Sequence, residues 1–449
     1  MKRQQYWLVI LFLFFISSQL PIYEPLLSDE NHYFYLGKLV SEGSMPYSDF
    51  FFAHPPVQLF VFAGLIKVFG YSFALLKSVA LFSTLVSAFI IYLFVRERDE
   101  TFAVVLTASF LFSQTIFYMA SVNMGINLTT AMVLGGVYLL HKSHNVSGGL
   151  LFGLACFTGL YAVVPVGMAL VYLLLNRNWL KFRKVAVGFV FSTGLMLISI
   201  VSYAPVEFFT QVIKYHSIKP LMGFSGRFAM LSLAVVIDNV IWLPFVIGLL
   251  VSLYAMKDKM PSYYLLTSLA LLIFIISLNH PLRYYMVLLY PFAIITSGQL
   301  LNGKSPIVIL SITILVIGSG LGIANGITDY KEEYSYNNFD KLKQYVSQQE
   351  GSLFGDFAPT SLLALETGKE YVVTKNVDTY PMTQSVIDLD SFIVDLRKAK
   401  PKIIVLHEIG GTINPLWKIA KIRYELDCLK EMPSLEYTYE NNGIRVYLC

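Results

Sequence analysis

The sequence predicts a polytopic α-helical membrane protein that ends in a small polar α/β domain. Three observations carry that prediction. Of the 449 residues, 56% are hydrophobic and only 14% are charged, whereas a soluble domain carries about a quarter charged residues. Apolar runs punctuate the first 325 residues, many of them matching the roughly 20 helical residues that cross about 30 Å of hydrocarbon. From about residue 330 the chain turns polar, and strand and helix signals alternate.

The elements follow in order. The runs fall at 6–22, 73–95, 101–120, 126–141, 148–161, 164–176, 185–203, 231–255, 262–279, 284–300 and 306–325, about eleven transmembrane helices. The first follows a basic head, "MKRQQ", like a signal peptide. No small-x-small cleavage site follows it, so it reads as a retained first helix. The fifth and sixth runs are short, and "GLYAVVPVG" breaks them. Between the first two, "PVQLFVFAGLIKVFG" is flanked by Pro and Gly, which favours a helix lying along the interface.

Alternate connections hold Lys2, Arg3, Arg96, Arg98, Lys142, Arg177, Lys181, Arg183, Lys184, Lys257, Lys259 and Lys304. That bias places the N-terminus in the cytoplasm and the C-terminal domain on the extracytoplasmic side of a cell membrane. The expected division is 1–328 for the membrane domain and 329–449 for the outer domain. One outer loop runs from about 23 to 72 and another from about 204 to 230.

In the C-terminal part, "GSLFGDF" and "PKIIVLHEIGG" read as buried strands, and "APTSLLALETGKE" and "SFIVDLRKAKP" as helices with Gly or Pro stops. "SLEYTYENNGIRVYLC" reads as a hairpin turning at Asn441-Asn442-Gly443. No glycine-rich phosphate fingerprint is present. The net charge of +4 is small and dispersed, which argues against nucleic acid as a partner. Cys156, Cys428 and Cys449 match no metal-ligand spacing, and pairing of Cys428 with Cys449 stays open.

The chemistry concentrates in "SDENHYFYLGKLVSEGSMPYSDFFFAHPP", Ser28 to Pro56. An acidic pair past a first span is ordinarily a solvated loop. Here it is embedded among Tyr33, Phe34, Tyr35, Tyr47, Phe50, Phe51 and Phe52, where a carboxylate is costly unless partnered or functional. Asp29 and Glu30 present a base beside a second polar group, and His54-Pro55-Pro56 is stiff because proline fixes φ and keeps its predecessor extended.

These residues resemble the first outer loop of the GT-C lipid-linked-sugar glycosyltransferases. The nearest branch is that of the dolichyl-phosphate-mannose protein mannosyltransferases (glycosyltransferase family 39), which includes the aminoarabinose transferases. The shared pattern is Asp29-Glu30, Tyr33, the element Gly43-Ser44-Met45-Pro46-Tyr47-Ser48-Asp49 and His54-Pro55-Pro56. "HPLRYYMVLLYPF" is similar to the Arg-Tyr element before a late span of that family.

The resemblance implies inverting transfer of a sugar from a polyprenyl-phosphate donor to a hydroxyl of a protein, lipid or glycan acceptor, on the outer side of the bilayer. It implies Asp29 as general base and Glu30 orienting sugar or acceptor. Tyr33, Tyr47, Asp49, His54, Asn123, Arg283 and Tyr284 form the implied substrate-binding set, with His54 and Arg283 on the lipid phosphate. No metal ligand is assigned; a divalent cation is compatible with the sequence but not required by it.

Each residue also has a plainer reading. Arg283 is a snorkelling anchor, His54 a turn cap, Asp49 a turn terminator and Glu24 an interfacial residue. Lys214, His216, Lys219 and Arg227 face lipid phosphate or, preferably, the anionic membrane surface. Asn123 stands where many relatives carry a second carboxylate, so either it hydrogen-bonds a sugar or the substrates differ. The Asn127-Leu128-Thr129 sequon lies too near a span to be used. Two other classes compete: a transporter or flippase of lipid-linked glycans, hinted at by Asp238 and the short spans, and a non-catalytic assembly protein.

Overall fold

The computed structural model describes residues 3–23, 28–255, 262–301, 306–334, 339–372, 389–409, 412–413, 430–431, 435–436 and 443–448. Glu24, Cys428, Cys449 and the turn at Asn441-Asn442 lie outside them. Helices in the first half are α1 (Arg3–Gln19), α2 (Glu30–Ser41), α3 (Val57–Phe69), α4 (Phe73–Val95), α5 (Glu100–Leu111), α6 (Gln114–Met119), α7 (Ile126–His141), α8 (Asn145–Cys156), α9 (Val163–Leu175) and α10 (Trp179–Val201). There follow α11 (Pro205–Phe208), α12 (Tyr215–Ser217), α13 (Phe224–Ile237), α14 (Asn239–Ala255), α15 (Tyr263–Ser277), α16 (Met286–Leu300) and α17 (Pro306–Tyr334). The polar end holds α18 (Phe339–Gln348), β1 (Leu353–Gly355), α19 (Phe357–Thr367), α20 (Leu389–Ala399), β2 (Ile403–Ile409), β3 (Thr412–Ile413), β4 (Lys430–Glu431), β5 (Leu435–Glu436) and β6 (Gly443–Leu448).

The residues gather into two units. The first holds Met1–Tyr23, Lys77–Ser199 and Lys219–Gly326; the second holds Glu24–Leu76, Ile200–Ile218 and Ile327–Cys449. The outer loop, which the sequence reading placed with the membrane half, therefore groups with the C-terminal residues.

Among the described residues, four apolar helices are long enough to cross a membrane alone, at Gln5–Ile22, Phe73–Val95, Trp179–Val201 and Val308–Ile327. The other runs are shorter or broken, and local chemistry explains where. The run at 101–120 breaks at Ser113, between α5 and α6. The run at 231–255, read as one span, bends by 96° between α13 and α14. The bend sits at Asp238, which is fully buried. Its carboxylate accepts Thr115 N–H (2.9 Å), Thr115 Oγ1–H and Tyr290 O–H (2.7 Å). Its carbonyl takes the N–H groups of Ile241 and Trp242 (2.9 and 3.2 Å) and so starts α14. This carboxylate is a structural bolt between α6, the bend and α16. α8 and α10 meet backbone to backbone: a Cβ on Gly149 would lie 2.1 Å from Val185 O, and one on Gly188 2.1 Å from Val146 O.

In the second unit, α2 packs on α3. Gly37 permits the approach, since a Cβ there would lie 2.6 Å from Phe62 Cβ, and Phe34 meets Phe62 edge-on at 5.2 Å. α3, with 13 residues, spans about 20 Å, too short to cross. The C-terminal residues form a sheet in the order β1-β2-β6-β4, with β3 beside β2 and β5 beside β6. β1 and β2 run parallel (Leu353↔Ile403, Gly355↔Val405), and β6 is antiparallel to β2. Ile403, Ile404, Val405 and Leu406 are all buried, as expected of a strand covered on both faces. The pairing Glu436↔Gly443 joins β5 to β6 across the expected hairpin. Gly355, at φ +147°, lies where a Cβ would strike Val405 O at 1.8 Å, so only glycine lets β1 approach β2 and turn into α19.

Gly188→Ala is expected to lower stability by about 1–3 kcal/mol, because the clash is with a backbone carbonyl that cannot swing away. Thermal unfolding in detergent measures it, and an unchanged midpoint contradicts the close packing.

Candidate active site

The acidic pair opens α2. Ser28 Oγ accepts the Glu30 N–H (3.2 Å), and Asp29 O accepts the N–H groups of His32 and Tyr33 (both 3.1 Å). The Asp29 carboxylate does not cap the helix. Asp29 is half-buried and Glu30 is buried, both at a helix end whose dipole favours negative charge.

One turn further on, Tyr33 Oη lies 3.0 Å from His54 Nε2, with the rings edge-to-face at 5.6 Å. His54 is held from its backbone as well: Tyr47 Oη donates to His54 O (2.8 Å). Gln211 clamps the same loop, accepting the Phe52 N–H (2.8 Å) and donating to Tyr47 O (2.9 Å). Burial raises the Tyr47 phenol well above its ordinary pKa, so it stays a donor. Tyr47 has φ +71°, a left-handed conformation unusual for a bulky residue, held by these contacts.

The sequence places His216 among basic residues facing lipid phosphate or the membrane surface. Its Nε2–H instead donates to Ala53 O (2.7 Å), and its ring lies 5.5 Å from that of His54. Asp49 closes its own turn. Oδ2 accepts the Met45 N–H (2.8 Å), Oδ1 accepts the Ser48 hydroxyl (3.2 Å), and the Asp49 N–H donates to Met45 O (3.1 Å).

The first unit holds the other candidates. Asn123 is buried in the turn before α7. Arg283 is half-buried and opens a 3-10 turn, Arg283–Tyr285, ahead of α16; Tyr284 Oη donates to Tyr285 Oη at 3.4 Å. Arg227 is tied to Met222 O and Ile276 O, a loop clamp rather than a surface charge. Asn127 is buried with Nδ2 on Thr84 Oγ1 (2.7 Å), so the sequon asparagine is occupied internally.

The sequence reading passed over Lys77, which is fully buried in α4 with its ammonium 5.7 Å from the Tyr23 ring. Its signal was available: a single charge inside "FALLKSVALF". A cavity of about 490 Å³ also opens in the second unit, lined by Tyr35, Asp49, Glu370, Tyr371, Asp395 and Lys398 among others. Among the described residues, no three His, Cys, Asp or Glu side chains form a group suited to a metal ion.

His32 adds a pH dependence. Burial pushes its imidazole from 6.5 down to about 3. The unfolded chain therefore takes up the proton first, and folding stability falls as pH drops below about 6.5. At pH 5 that amounts to about 2 kcal/mol, a gap of about 1.5 pKa units. Thermal unfolding at pH 7.5, 6 and 5 is expected to show the decline, and His32→Leu to flatten it.

No protein-family model matches the sequence, and no curated protein matches it. Solved structures do. The chain resembles ArnT from Cupriavidus metallidurans in the apo state at 15% identity and a TM-score of 0.67, over 97% of each chain. It also resembles the same protein bound to undecaprenyl phosphate, at 14% identity and a TM-score of 0.69, over 98% of this chain and 97% of that one. The chain thus shares, along nearly its whole length, the fold of these ArnT structures.

Proposed function

We propose that this chain is an integral membrane glycosyltransferase that moves a sugar from a polyprenyl-phosphate donor to an acceptor hydroxyl on the extracytoplasmic side, with inversion. The observation that carries the reading is the full-length fold likeness to a transferase bound to undecaprenyl phosphate. The acidic pair at the start of α2, beside the rigid Tyr33–His54 contact, supplies the matching chemistry.

The acceptor oxygen attacks the anomeric carbon from the face opposite the phosphate. As the new C–O bond forms, the bond to the phosphate oxygen breaks and its electron pair leaves on the lipid phosphate. The acceptor proton passes to the Asp29 carboxylate. A lipid phosphate is already a stable anion, so no strong general acid is needed; a base and anion-stabilising groups suffice. Glu30 orients sugar or acceptor. His54, steadied by Tyr33, contacts the phosphate, and Tyr47 lines the substrates. Asp49 supports this site through its turn.

The transporter reading loses its charge, because the Asp238 carboxylate is committed to Thr115 and Tyr290. An assembly protein without catalysis would tolerate loss of Asp29.

Purified protein supplied with a panel of polyprenyl-phosphate sugars and hydroxyl acceptors, with products identified by mass, tests the reading. Asp29→Asn is expected to lower kcat by about 10²–10⁴-fold, the usual worth of a general base. His54→Ala is expected chiefly to raise KM for the donor. Full activity in Asp29→Asn sinks the base assignment.

A further inference from the structure

The C-terminal α/β part reaches the acidic helix through His32. This side chain is 3% exposed, and its Nδ1 lies 2.9 Å from Ser361 Oγ of α19. The ring stands edge-on to Phe357 at 5.8 Å and to Tyr371 at 6.4 Å. One turn later, Tyr35 Oη accepts the Tyr371 N–H at 3.0 Å. Tyr371 is itself pinned, its hydroxyl donating to Gly355 O (3.1 Å) where β1 ends. His32 and Tyr35, three residues apart, share one face of α2, and that whole face is keyed to the α/β fold.

Helical geometry carries the consequence to the site. At about 100° per residue, Asp29 projects between the directions of His32 and Tyr33. The rotation of α2 about its axis therefore sets where the Asp29 carboxylate points. Tyr33 holds one side of that arc through His54, and His32 holds the other through Ser361. Nε2 of His32 is buried without a hydrogen-bond partner. A buried bare acceptor is better tolerated than a buried orphan N–H, so the proton belongs on Nδ1, donating to Ser361 Oγ. The contact is then directional: a hydroxyl at 361 and a donor at 32 fix one orientation of the ring and of the helix carrying it.

We infer that His32 and Ser361 are positioning residues, through which the C-terminal α/β part sets the aim of the Asp29–Glu30 pair. This rests on the transferase reading of the preceding section. Both act through the orientation of α2. Their loss misaims the base, which costs catalytic rate rather than donor affinity.

The test uses the full chain in detergent and the most active donor and acceptor of the panel. Ser361→Ala and His32→Leu are expected to lower kcat by about 10–100-fold with donor KM within about threefold. His32→Asn, which keeps an N–H near the Nδ1 position, is expected to recover most of the loss. Amide hydrogen exchange over residues 30–41 is expected to quicken in Ser361→Ala. Should Ser361→Ala fail to fold, Tyr35→Phe, which deletes only the Tyr35 hydroxyl that accepts the Tyr371 N–H, takes its place with the same expected rate loss. Wild-type kcat in these variants overturns the proposal, as does a loss that falls equally on KM or is not recovered by His32→Asn. Asp29→Asn measured alongside separates the two readings. If it is inactive while Ser361→Ala is normal, only the positioning role falls; if it is fully active, the base assignment falls first.

Discussion

Helix α2 is gripped by α3, by the His54 loop and by the distant C-terminal residues, and the direction of its carboxylates follows from that grip. Phe34 and Gly37 seat it on Phe62 of α3. Tyr33 ties it to His54, and His32 and Tyr35 tie it to Ser361 and Tyr371. Side chains that bury Glu30, Asn31 and His32 in successive positions have no freedom left to slide or rotate. Burying so much polarity is expensive, and the His32–Ser361 contact offsets part of that cost.

The same constraint explains why the outer loop and the C-terminal residues form one unit. Further along, Tyr71 donates to Glu366 Oε1 (3.2 Å), and Lys343 pairs with Glu366 Oε2 at 2.8 Å. The segment at 205–217 adds Gln211 and His216 to the back of the His54 loop. Three stretches separated by more than a hundred residues thus build one platform. In the proposed transferase, such a platform lets a polar, rigid site form without long spans of its own.

Much of this was legible in the chain. The acidic pair, the Pro-Tyr-Ser-Asp turn and the His-Pro-Pro unit are local chemistry, and local chemistry survives in sequence. The strands beginning at 353 and 403 were legible because Leu353-Phe354 and Ile403–Leu406 are buried, unbroken apolar runs. What was not legible were partnerships. Asp238 looked like a mid-membrane charge available for transport, yet Thr115 and Tyr290 consume it. His216 looked like a surface base until Ala53 and His54 placed it behind the loop. Lys77 stands in the sequence as a charge inside an apolar run, and its burial follows only from the packing around α4.

Sequence alone determined that the chain is a membrane protein, that it ends in an α/β part, and that its acids gather beside a stiff histidine. Those properties depend on composition, periodicity and nearest neighbours along the chain. Tertiary structure decided which charges bend helices, which side chains hold α2, and that the acidic loop belongs with the C-terminal residues. A hydrogen bond between residues 32 and 361 leaves no trace in the spacing of either, because its geometry exists only after the chain has brought them within three ångströms.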